Sequence, residues 1–252
     1  QKAISVLRKK GHNIKDDEAE GAKIAILLHD IGHGAFSHAL EHSIVENITH
    51  EDLSLFYMNK LNEEFKGKLN LAIKIFKGKY KKKYLHQLIS SQLDMDRIDY
   101  LNRDSFYSGV QEGVVGVERI INMLNVIDNK LVVESKGIYS VEKFLISRRL
   151  MYWQVYYHKT VVSAEHMLIK ILQRAKELSQ NNIELFGTSS LKLLLKNNFN
   201  INNFESNSKV LEAFTNLDDF DIMCAIKEWQ NHEDKILAYL SNKLIKRELF
   251  KI

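Results

Sequence analysis

An apolar run that ends in several metal-binding side chains is the feature of this sequence with the clearest chemistry. Residues 22–28 lead directly into His29 and Asp30, and His33 and His38 follow in the next few positions. Imidazole nitrogen and carboxylate oxygen together suit a divalent cation. The alternative is a buried helix with a solvated polar end, but polar groups on an apolar helix are costly unless they are partnered. The sequence therefore predicts a site at the end of this helix.

A second group of polar side chains recurs at helical spacing. Asp96, Tyr100 and Asp104 are four residues apart, within a helix predicted from Tyr84 to about Ser105. One face of that helix would present two carboxylates and a phenol, with Arg103 beside them. A surface ion-pair ladder is the alternative, although such a ladder has no need of a tyrosine between its aspartates.

A third group lies on a long helix predicted from about Ser140 to Leu178. Arg148, Tyr152, Tyr156 and Lys159 follow at i, i+4, i+8 and i+11 and would form one continuous stripe. The cations suit phosphate oxygens, and the tyrosines add stacking surfaces and hydroxyls. An aromatic stripe is more often part of a core, but two cations in the same stripe favour phosphate contact.

Two further histidines stand near carboxylates. His38 and Glu41 are three residues apart and could hydrogen-bond, which would raise the basicity of the imidazole. Thr49 is a good N-cap for a helix predicted from His50 to about Glu64. His50 would then lie in the first turn, where the helix dipole favours the neutral imidazole.

Composition sets limits on the class of protein. The chain has 252 residues, a net charge of +4, one cysteine and no proline. The charge is far below that of a dedicated nucleic-acid binder, although a local basic patch is not excluded. The single Cys224 rules out internal disulfides and favours a cytoplasmic protein. The lysine-rich residues 66–83 predict a solvated face, with a regulatory nucleotide or an acidic partner as the alternative.

The predicted fold is mostly α. The only sheet expected is a short hairpin at residues 125–133, turning at Asp128 and Asn129. Residues 1–178 are predicted to form the main domain. Residues 179–252 are richer in Asn, Ser and Leu and are predicted to form a small C-terminal helical subdomain that supports the core or a homo-oligomer (a dimer or tetramer).

Three motifs in order resemble the HD-domain metal-dependent phosphohydrolases. They are the segment HDIGHGAFSH at residues 29–38, Thr49-His50-Glu51, and the segment LDMDRIDYLNRD at residues 93–104. Within that family, the sequence looks like the branch of the deoxynucleoside triphosphate triphosphohydrolases. The resemblance covers about residues 20 to 178. It implies a helical HD domain and hydrolysis of a deoxynucleoside triphosphate to deoxynucleoside and triphosphate.

The resemblance also implies roles for the candidate residues. His29, Asp30 and Asp96 would hold a divalent metal ion (Mg, Mn, Fe, Ni or Zn). Tyr100 and Asp104 would meet the sugar end of the nucleotide. The candidates for proton transfer and α-phosphate contact, with the carboxylates as orienting partners, are His33, His38, His50, Glu41 and Glu51. The remaining candidates for substrate contact are Arg148, Tyr152, Tyr156, His158 and Lys159.

One element of the family pattern has no match here. The resemblance implies a further metal-binding histidine on an earlier helix, and His12 lies in a predicted turn too close to the second helix to serve. Either the N-terminal segment of the natural protein is missing from this chain, or the site has diverged. Two other functions therefore stay open. One is an HD phosphohydrolase for another nucleotide or a phosphomonoester, and the other is a catalytically weakened nucleotide-sensing regulator.

Overall fold

A computed structural model describes residues 1–37 and 48–251 of the chain. The described part is mostly helical with one antiparallel hairpin, which confirms the predicted fold class. The chain divides into two compact units. The first comprises Gln1–Asp30 and Tyr57–His158, and the second comprises the described residues of Ile31–Phe56 and Lys159–Ile252. The domain boundary predicted at residue 178 stays a prediction.

The first unit carries most of the candidate residues. Helix α3 (His50–Glu64) contributes to this unit only from Tyr57 onward. The other secondary-structure elements of the unit, in chain order, are α1 (Lys2–Lys9), α2 (Asp16–Leu28), α4 (Asn70–Phe76), α5 (Lys83–Gln87), α6 (Met95–Ser108), α7 (Val117–Met123), β1 (Leu124–Ile127), β2 (Lys130–Val133) and α8 (Ile138–Met151). The bounds of α3 confirm the predicted helix. α2 packs on α4, and α6 packs on α8.

The hairpin turns where the sequence predicts it. Leu124 pairs with Val133 and Ile127 with Lys130, which leaves a two-residue loop. Asp128 and Asn129 occupy that loop with φ angles of 49° and 63°. Both side chains tolerate this left-handed backbone, so the loop can close without glycine.

A cluster of apolar side chains holds α6 against α8. Its buried members come from these two helices and from the segment between them, and they are Ile98, Leu101, Val115, Ile120, Phe144 and Met151. Tyr100 and Tyr156 pack against the same cluster with their rings partly buried. The cluster therefore fixes the two helix faces that carry the tyrosine candidates.

Two predicted long helices are interrupted, and these predictions were wrong. The helix predicted from Tyr84 to Ser105 breaks at residues 88–94, where Asp94 caps α6 by accepting a hydrogen bond from the Arg97 N–H at 2.7 Å. The helix predicted from Ser140 to Leu178 continues from α8 as a π-helical turn, Tyr152–Tyr156, and then stops. A new helix begins at Lys159. Lys159 therefore does not continue a single helical stripe from Arg148.

The second unit contains the remaining helices. They are the N-terminal part of α3, α9 (Lys159–Gln180), α10 (Ser189–Lys196), α11 (Ile201–Ser206), α12 (Ser208–Thr215), α13 (Asp219–Trp229) and α14 (Lys235–Ile245). α9 packs against α10 and α14. Arg174 on α9 donates two hydrogen bonds to the Asp234 carboxylate, at 2.6 and 3.2 Å, which ties α9 to the start of α14. Within the described ranges, none of the helices combines the length and the hydropathy that a membrane span requires.

A buried carboxylate anchors the N-terminal end of α2. The Glu18 side chain is 2% exposed and accepts hydrogen bonds from Lys82 Nζ at 2.5 Å, Tyr80 Oη at 2.6 Å and the Lys15 N–H at 2.8 Å. Burial alone would raise the pKa of Glu18, but the hydrogen bonds from Lys82, Tyr80 and Lys15 outweigh it and lower the pKa to about 2. The ionised form is thus part of the folded state.

This pKa predicts how stability depends on pH. Because the pKa of Glu18 is lower in the folded state, the ionised carboxylate stabilises the fold at pH values above its ordinary pKa of 4.5. This stabilisation is lost as the pH falls from 4.5 toward about 2. Glu18→Gln should lower the free energy of unfolding at pH 7 by roughly 2–3 kcal/mol, because it leaves the Lys82 ammonium without its partner. Denaturant unfolding at several pH values measures this loss, which should shrink toward pH 2. Glu20→Gln, an exposed change on the same helix, is the control, and an equal effect there would contradict the prediction.

Candidate active site

His29 follows the last turn of α2, and its ring is oriented by the backbone. Its Nδ1 lies 2.7 Å from the carbonyl oxygen of Ile26. Because a carbonyl only accepts, Nδ1–H must be the donor, and this leaves Nε2 to face the carboxylates. An imidazole held by its other nitrogen is the usual arrangement for a metal ligand.

Two carboxylates converge on that nitrogen. His29 Nε2 lies 3.3 Å from Asp30 Oδ2 and 3.7 Å from Asp96 Oδ1, and one ligand atom from each of the three residues lies within 4.8 Å of the others. Ligands about 2.0–2.4 Å from a common ion are at most about 4.8 Å apart. One imidazole nitrogen and two carboxylate oxygens therefore fit a divalent cation, and residues 66 positions apart in the chain meet as the sequence predicts.

The electrostatics of the group reflect this closeness. The Asp96 carboxylate raises the pKa of His29, against the opposing effect of burial. In turn His29 lowers the pKa of Asp96. Asp96 lies in the first turn of α6, two residues after the buried Asp94 that caps the helix. The cap thus sets the position of the carboxylate that must reach across to His29.

A pair of histidines in the second unit joins the first turn of α3, which carries His50, to the segment after α2, which carries His33. The rings of His33 and His50 are stacked, with centroids 4.1 Å apart and planes 14° apart. Thr49 and Asp52 cap this helix reciprocally: each backbone N–H lies 3.2 Å from the other's side-chain oxygen. The structure brings His33 and His50 together, and their proposed role in proton transfer stays a prediction. Glu51 is exposed on the same turn, and His38 and Glu41 lie outside the described residues.

Gly32 explains why the motif needs a glycine at this position. A Cβ atom there would lie 2.2 Å from the carbonyl oxygen of His50 and 2.3 Å from the backbone nitrogen of Ser54. The Gly32 N–H donates a hydrogen bond of 2.9 Å to Ser54 Oγ. Only a residue without a side chain permits this backbone contact.

A substitution at Gly32 should therefore be costly. Gly32→Ala should lower the free energy of unfolding by roughly 2–3 kcal/mol and the Tm by roughly 5–10 °C, because the obstructing atoms are backbone. Thermal unfolding followed by circular dichroism measures both. Gly116→Ala is the matched control, since the nearest atom to a Cβ there is 4.0 Å away. Equal shifts for the two variants would show that the contact at Gly32 does not constrain the fold.

The tyrosine candidates form a cluster with Asp104. The Tyr156 hydroxyl donates a hydrogen bond of 2.6 Å to Asp104 Oδ2, and the rings of Tyr100 and Tyr156 meet edge to face at 6.1 Å. Burial and then this hydrogen bond raise the pKa of Tyr156. The Tyr152 ring lies 5.2 Å from that of Tyr156, and the Arg148 guanidinium lies 5.6 Å from the Tyr152 centroid. Five of the predicted substrate contacts are thus neighbours.

Arg97 is a further cation at this cluster, and it was not among the residues predicted from the sequence. Its side chain interacts with the Tyr100 hydroxyl, and its Nε donates a hydrogen bond of 2.8 Å to the carbonyl oxygen of Ser91. Its position in the sequence, directly after Asp96 and three residues before Tyr100, could have indicated that it lies near Tyr100. His158 and Lys159, by contrast, lie beyond the π-helical turn and are exposed.

Comparison with known proteins adds a family context. Residues 115–192 match the model of the HD associated region. The chain is similar to a phosphohydrolase from Bacteroides thetaiotaomicron VPI-5482, whose crystal structure aligns with a TM-score of 0.96 and 56% identity over 99% of this chain and 62% of that one. It is 36% identical over 242 residues to "Uncharacterized protein YwfO" of Bacillus subtilis (strain 168), covering 93% of this chain and 53% of that protein.

A more distant relative has a named activity. The chain is 29% identical over 181 residues to the deoxynucleoside triphosphate triphosphohydrolase SAMHD1 homolog of Dictyostelium discoideum, covering 65% of this chain and 35% of that protein. The chain thus spans little more than half the length of YwfO and about three fifths of the Bacteroides protein. The match to the HD associated region and the names of these relatives support an HD-domain phosphohydrolase.

Proposed function

We propose that this chain carries the active site of a metal-dependent HD phosphohydrolase that acts on deoxynucleoside triphosphates. The observation that carries the proposal is the convergence of His29 Nε2 with the carboxylates of Asp30 and Asp96. One imidazole and two carboxylates form a donor set for a divalent ion, and the oriented His29 ring supports the same role.

The reaction proposed is attack of water on the α-phosphorus. The bond between the α-phosphorus and the 5′-oxygen breaks, the water oxygen joins the triphosphate, and a proton ends on the 5′-oxygen of the deoxynucleoside. A divalent ion at His29, Asp30 and Asp96 would supply Lewis acidity to the phosphoryl oxygens and the attacking water. His33 and His50, with Glu51, His38 and Glu41, are proposed for proton transfer and α-phosphate contact.

The tyrosine cluster is proposed to hold the rest of the nucleotide. Asp96, Tyr100 and Asp104 are successive four-residue steps on α6. Along the helix axis, the cluster therefore begins about 6 Å from the proposed metal ligand Asp96, at Tyr100, and ends about 12 Å from it, at Asp104. The Asp104 carboxylate and the Tyr156 hydroxyl suit a sugar hydroxyl, and Tyr100 offers a partly buried phenol beside them.

The charges at the cluster suit the triphosphate. Arg148 and Arg97 bring two guanidinium groups to the Tyr100 and Tyr152 rings, and a guanidinium can bind phosphate oxygens in a bidentate manner. His158 and Lys159 are retained as proposed contacts from the resemblance. The similarity to the Dictyostelium triphosphohydrolase supports a deoxynucleotide substrate.

The products test the proposal. The protein, loaded in turn with Mg, Mn, Fe, Ni or Zn, is incubated with each deoxynucleoside triphosphate in ¹⁸O-labelled water, and the products are separated by ion chromatography. The expected products are unlabelled deoxynucleoside and triphosphate that carries one ¹⁸O. Deoxynucleoside monophosphate with pyrophosphate would contradict attack at this position. Tight binding without turnover would indicate the nucleotide-sensing regulator instead, and hydrolysis of phosphomonoesters alone would indicate a different HD enzyme.

A further inference from the structure

The segment between α5 and α6 contacts both guanidinium groups at the tyrosine cluster. We call its last four residues, 91–94, the 91–94 loop. The Ser91 N–H donates a hydrogen bond of 2.9 Å to Asp94 Oδ2, and the Met95 N–H donates one of 3.0 Å to the carbonyl oxygen of the buried Leu88. These bonds fix the loop against the start of α6, so a side chain that the loop holds is also fixed relative to that helix.

The Arg97 side chain is held at its Nε atom. This atom lies 2.8 Å from the carbonyl oxygen of Ser91 and 3.2 Å from Asp94 Oδ2, so its single hydrogen is shared between the two oxygens. Asp94 is buried, and its other carboxylate oxygen accepts the Arg97 backbone N–H at 2.7 Å. Because a guanidinium is planar, holding Nε sets the plane in which the two Nη groups lie.

The other end of Arg97 remains accessible. Its side chain is 29% exposed and lines a cavity of about 680 Å³ beside the 91–94 loop. The two Nη groups carry four N–H donors, and the guanidinium bonds to the Tyr100 hydroxyl. Four donors are enough for that hydroxyl and for two phosphate oxygens bound in a bidentate manner.

The same loop also meets Arg148, which comes from α8. Arg148 Nη1 donates to Gln92 Oε1 over 3.4 Å, which is long for a hydrogen bond. The Tyr152 ring lies against the same guanidinium. Arg148 is therefore directed by an amide and a ring, and four consecutive residues contact both of the cations assigned to phosphate.

We propose that the 91–94 loop orients the guanidinium groups of Arg97 and Arg148 for the triphosphate tail of the substrate. Asp94 is the positioning residue for Arg97, and Gln92 has the same role, more weakly, for Arg148. This inference rests on the proposed function. An arginine side chain loses rotamer freedom when it binds phosphate, and a guanidinium that is already held loses less. The loop therefore favours a triphosphate over a phosphomonoester, which has no tail to reach the arginines.

A double-mutant cycle tests whether Asp94 acts through Arg97. Asp94→Ser keeps an oxygen that can cap α6 but removes the oxygen beside Arg97 Nε, and Arg97→Lys keeps the charge but has no Nε–H. Each change should lower kcat/KM for a deoxynucleoside triphosphate roughly tenfold and far less for a phosphomonoester. Metal content should stay the same, which checks that Asp96 has kept its place.

The double variant decides between positioning and general support of the fold. Asp94→Ser combined with Arg97→Lys should cost about as much as Arg97→Lys alone, because no guanidinium is left to orient. Losses that multiply would show that Asp94 does not act through Arg97 and would overturn the proposal.

Gln92 gives a second cycle on an exposed side chain. Gln92→Ala should lower kcat/KM for the triphosphate roughly threefold, and it should cost nothing further in an Arg148→Ala background. Ser90→Ala changes an exposed neighbour and should leave the kinetics unaltered. Equal losses for Gln92→Ala and Ser90→Ala would show that Gln92 does not position Arg148.

Nuclear magnetic resonance of the ¹⁵N-labelled, metal-loaded protein separates this proposal from the proposed function. The Arg97 Nε–H signal, assigned by its loss in Arg97→Lys, should exchange slowly with water and shift when inorganic tripolyphosphate is added. Asp94→Ser should speed the exchange about tenfold. A slow signal that responds to tripolyphosphate, in a protein that hydrolyses no deoxynucleotide, would support the positioning role and reject only the hydrolase. Fast exchange in the unmodified protein, or a slow signal that ignores tripolyphosphate, would overturn the proposal.

Discussion

Asp96→Asn should abolish metal binding and hydrolysis while leaving a folded, helical protein. The substitution keeps the size of the side chain but removes one of the two anionic ligands that converge on His29. Losing an outer-shell partner alone typically weakens metal affinity by about ten- to hundredfold, so losing a charged ligand should exceed about a hundredfold. Metal content after dialysis, titration calorimetry and the rate of triphosphate release measure the effect.

The control for this experiment lies on the same helix. Asp99 is three residues further along α6, exposed, and paired with Arg103 at 3.1 Å. Asp99→Asn makes the same chemical change on the solvent side, where an ion pair contributes little. It should leave metal content and rate unchanged. Unchanged metal content in Asp96→Asn would exclude the proposed metal site, even if activity fell.

Arg148→Ala should reduce kcat/KM for a deoxynucleoside triphosphate by roughly ten- to hundredfold. The guanidinium lies against the Tyr152 ring, and the charge-assisted hydrogen bonds that we propose it makes with phosphate would be worth roughly 1.5–3 kcal/mol. A phosphomonoester has no triphosphate tail to hold, so its kcat/KM should fall far less. The ratio of the two losses, measured by steady-state kinetics, reports whether Arg148 contacts the tail.

Lys143→Ala removes a cation from an exposed position of the same helix and should leave both substrates unaffected. Equal losses for triphosphate and monoester in Arg148→Ala would favour an enzyme for a simpler phosphate ester. A lower Tm for Arg148→Ala with unchanged kinetics would show that the residue supports the fold and does not contact substrate.

Local sequence patterns predicted most elements but not where two helices end. The threonine cap and the apolar spacing predicted α3 with its observed bounds, and Asp128 and Asn129 predicted the hairpin turn. The breaks at residues 88–94 and 157–158 were missed because the chain has no proline, so its strongest stop signal is absent. At the first break, the buried side chain of Asp94 caps α6, and its burial depends on packing that local spacing does not encode.

Some contacts of the candidate site could be predicted from the sequence, and others could not. The meeting of His29 with Asp96 followed from the order of the motifs, since nothing in residue spacing connects positions so far apart. The contact between Tyr156 and Asp104 required knowing that α8 packs on α6. Arg97 was missed because the prediction followed the four-residue spacing of Asp96, Tyr100 and Asp104, although a residue three positions before Tyr100 is also its neighbour on a helix. The chemical roles of all these residues stay predictions.

The π-helical turn has a consequence for how this protein can change over evolution. The Tyr157 N–H bonds to the carbonyl oxygen of Tyr152 at 2.7 Å, so the turn holds one residue more than an α-helical turn would. A π-helical turn fits its extra residue into nearly the rotation of an α-helical turn, so deleting one residue there would restore α-helical geometry with little rotation across the turn. The change would be confined to the side chains of the turn, which include Tyr152 and Tyr156. Homologous sequences can therefore gain or lose one residue here and alter the cluster at Asp104 while sharing every motif.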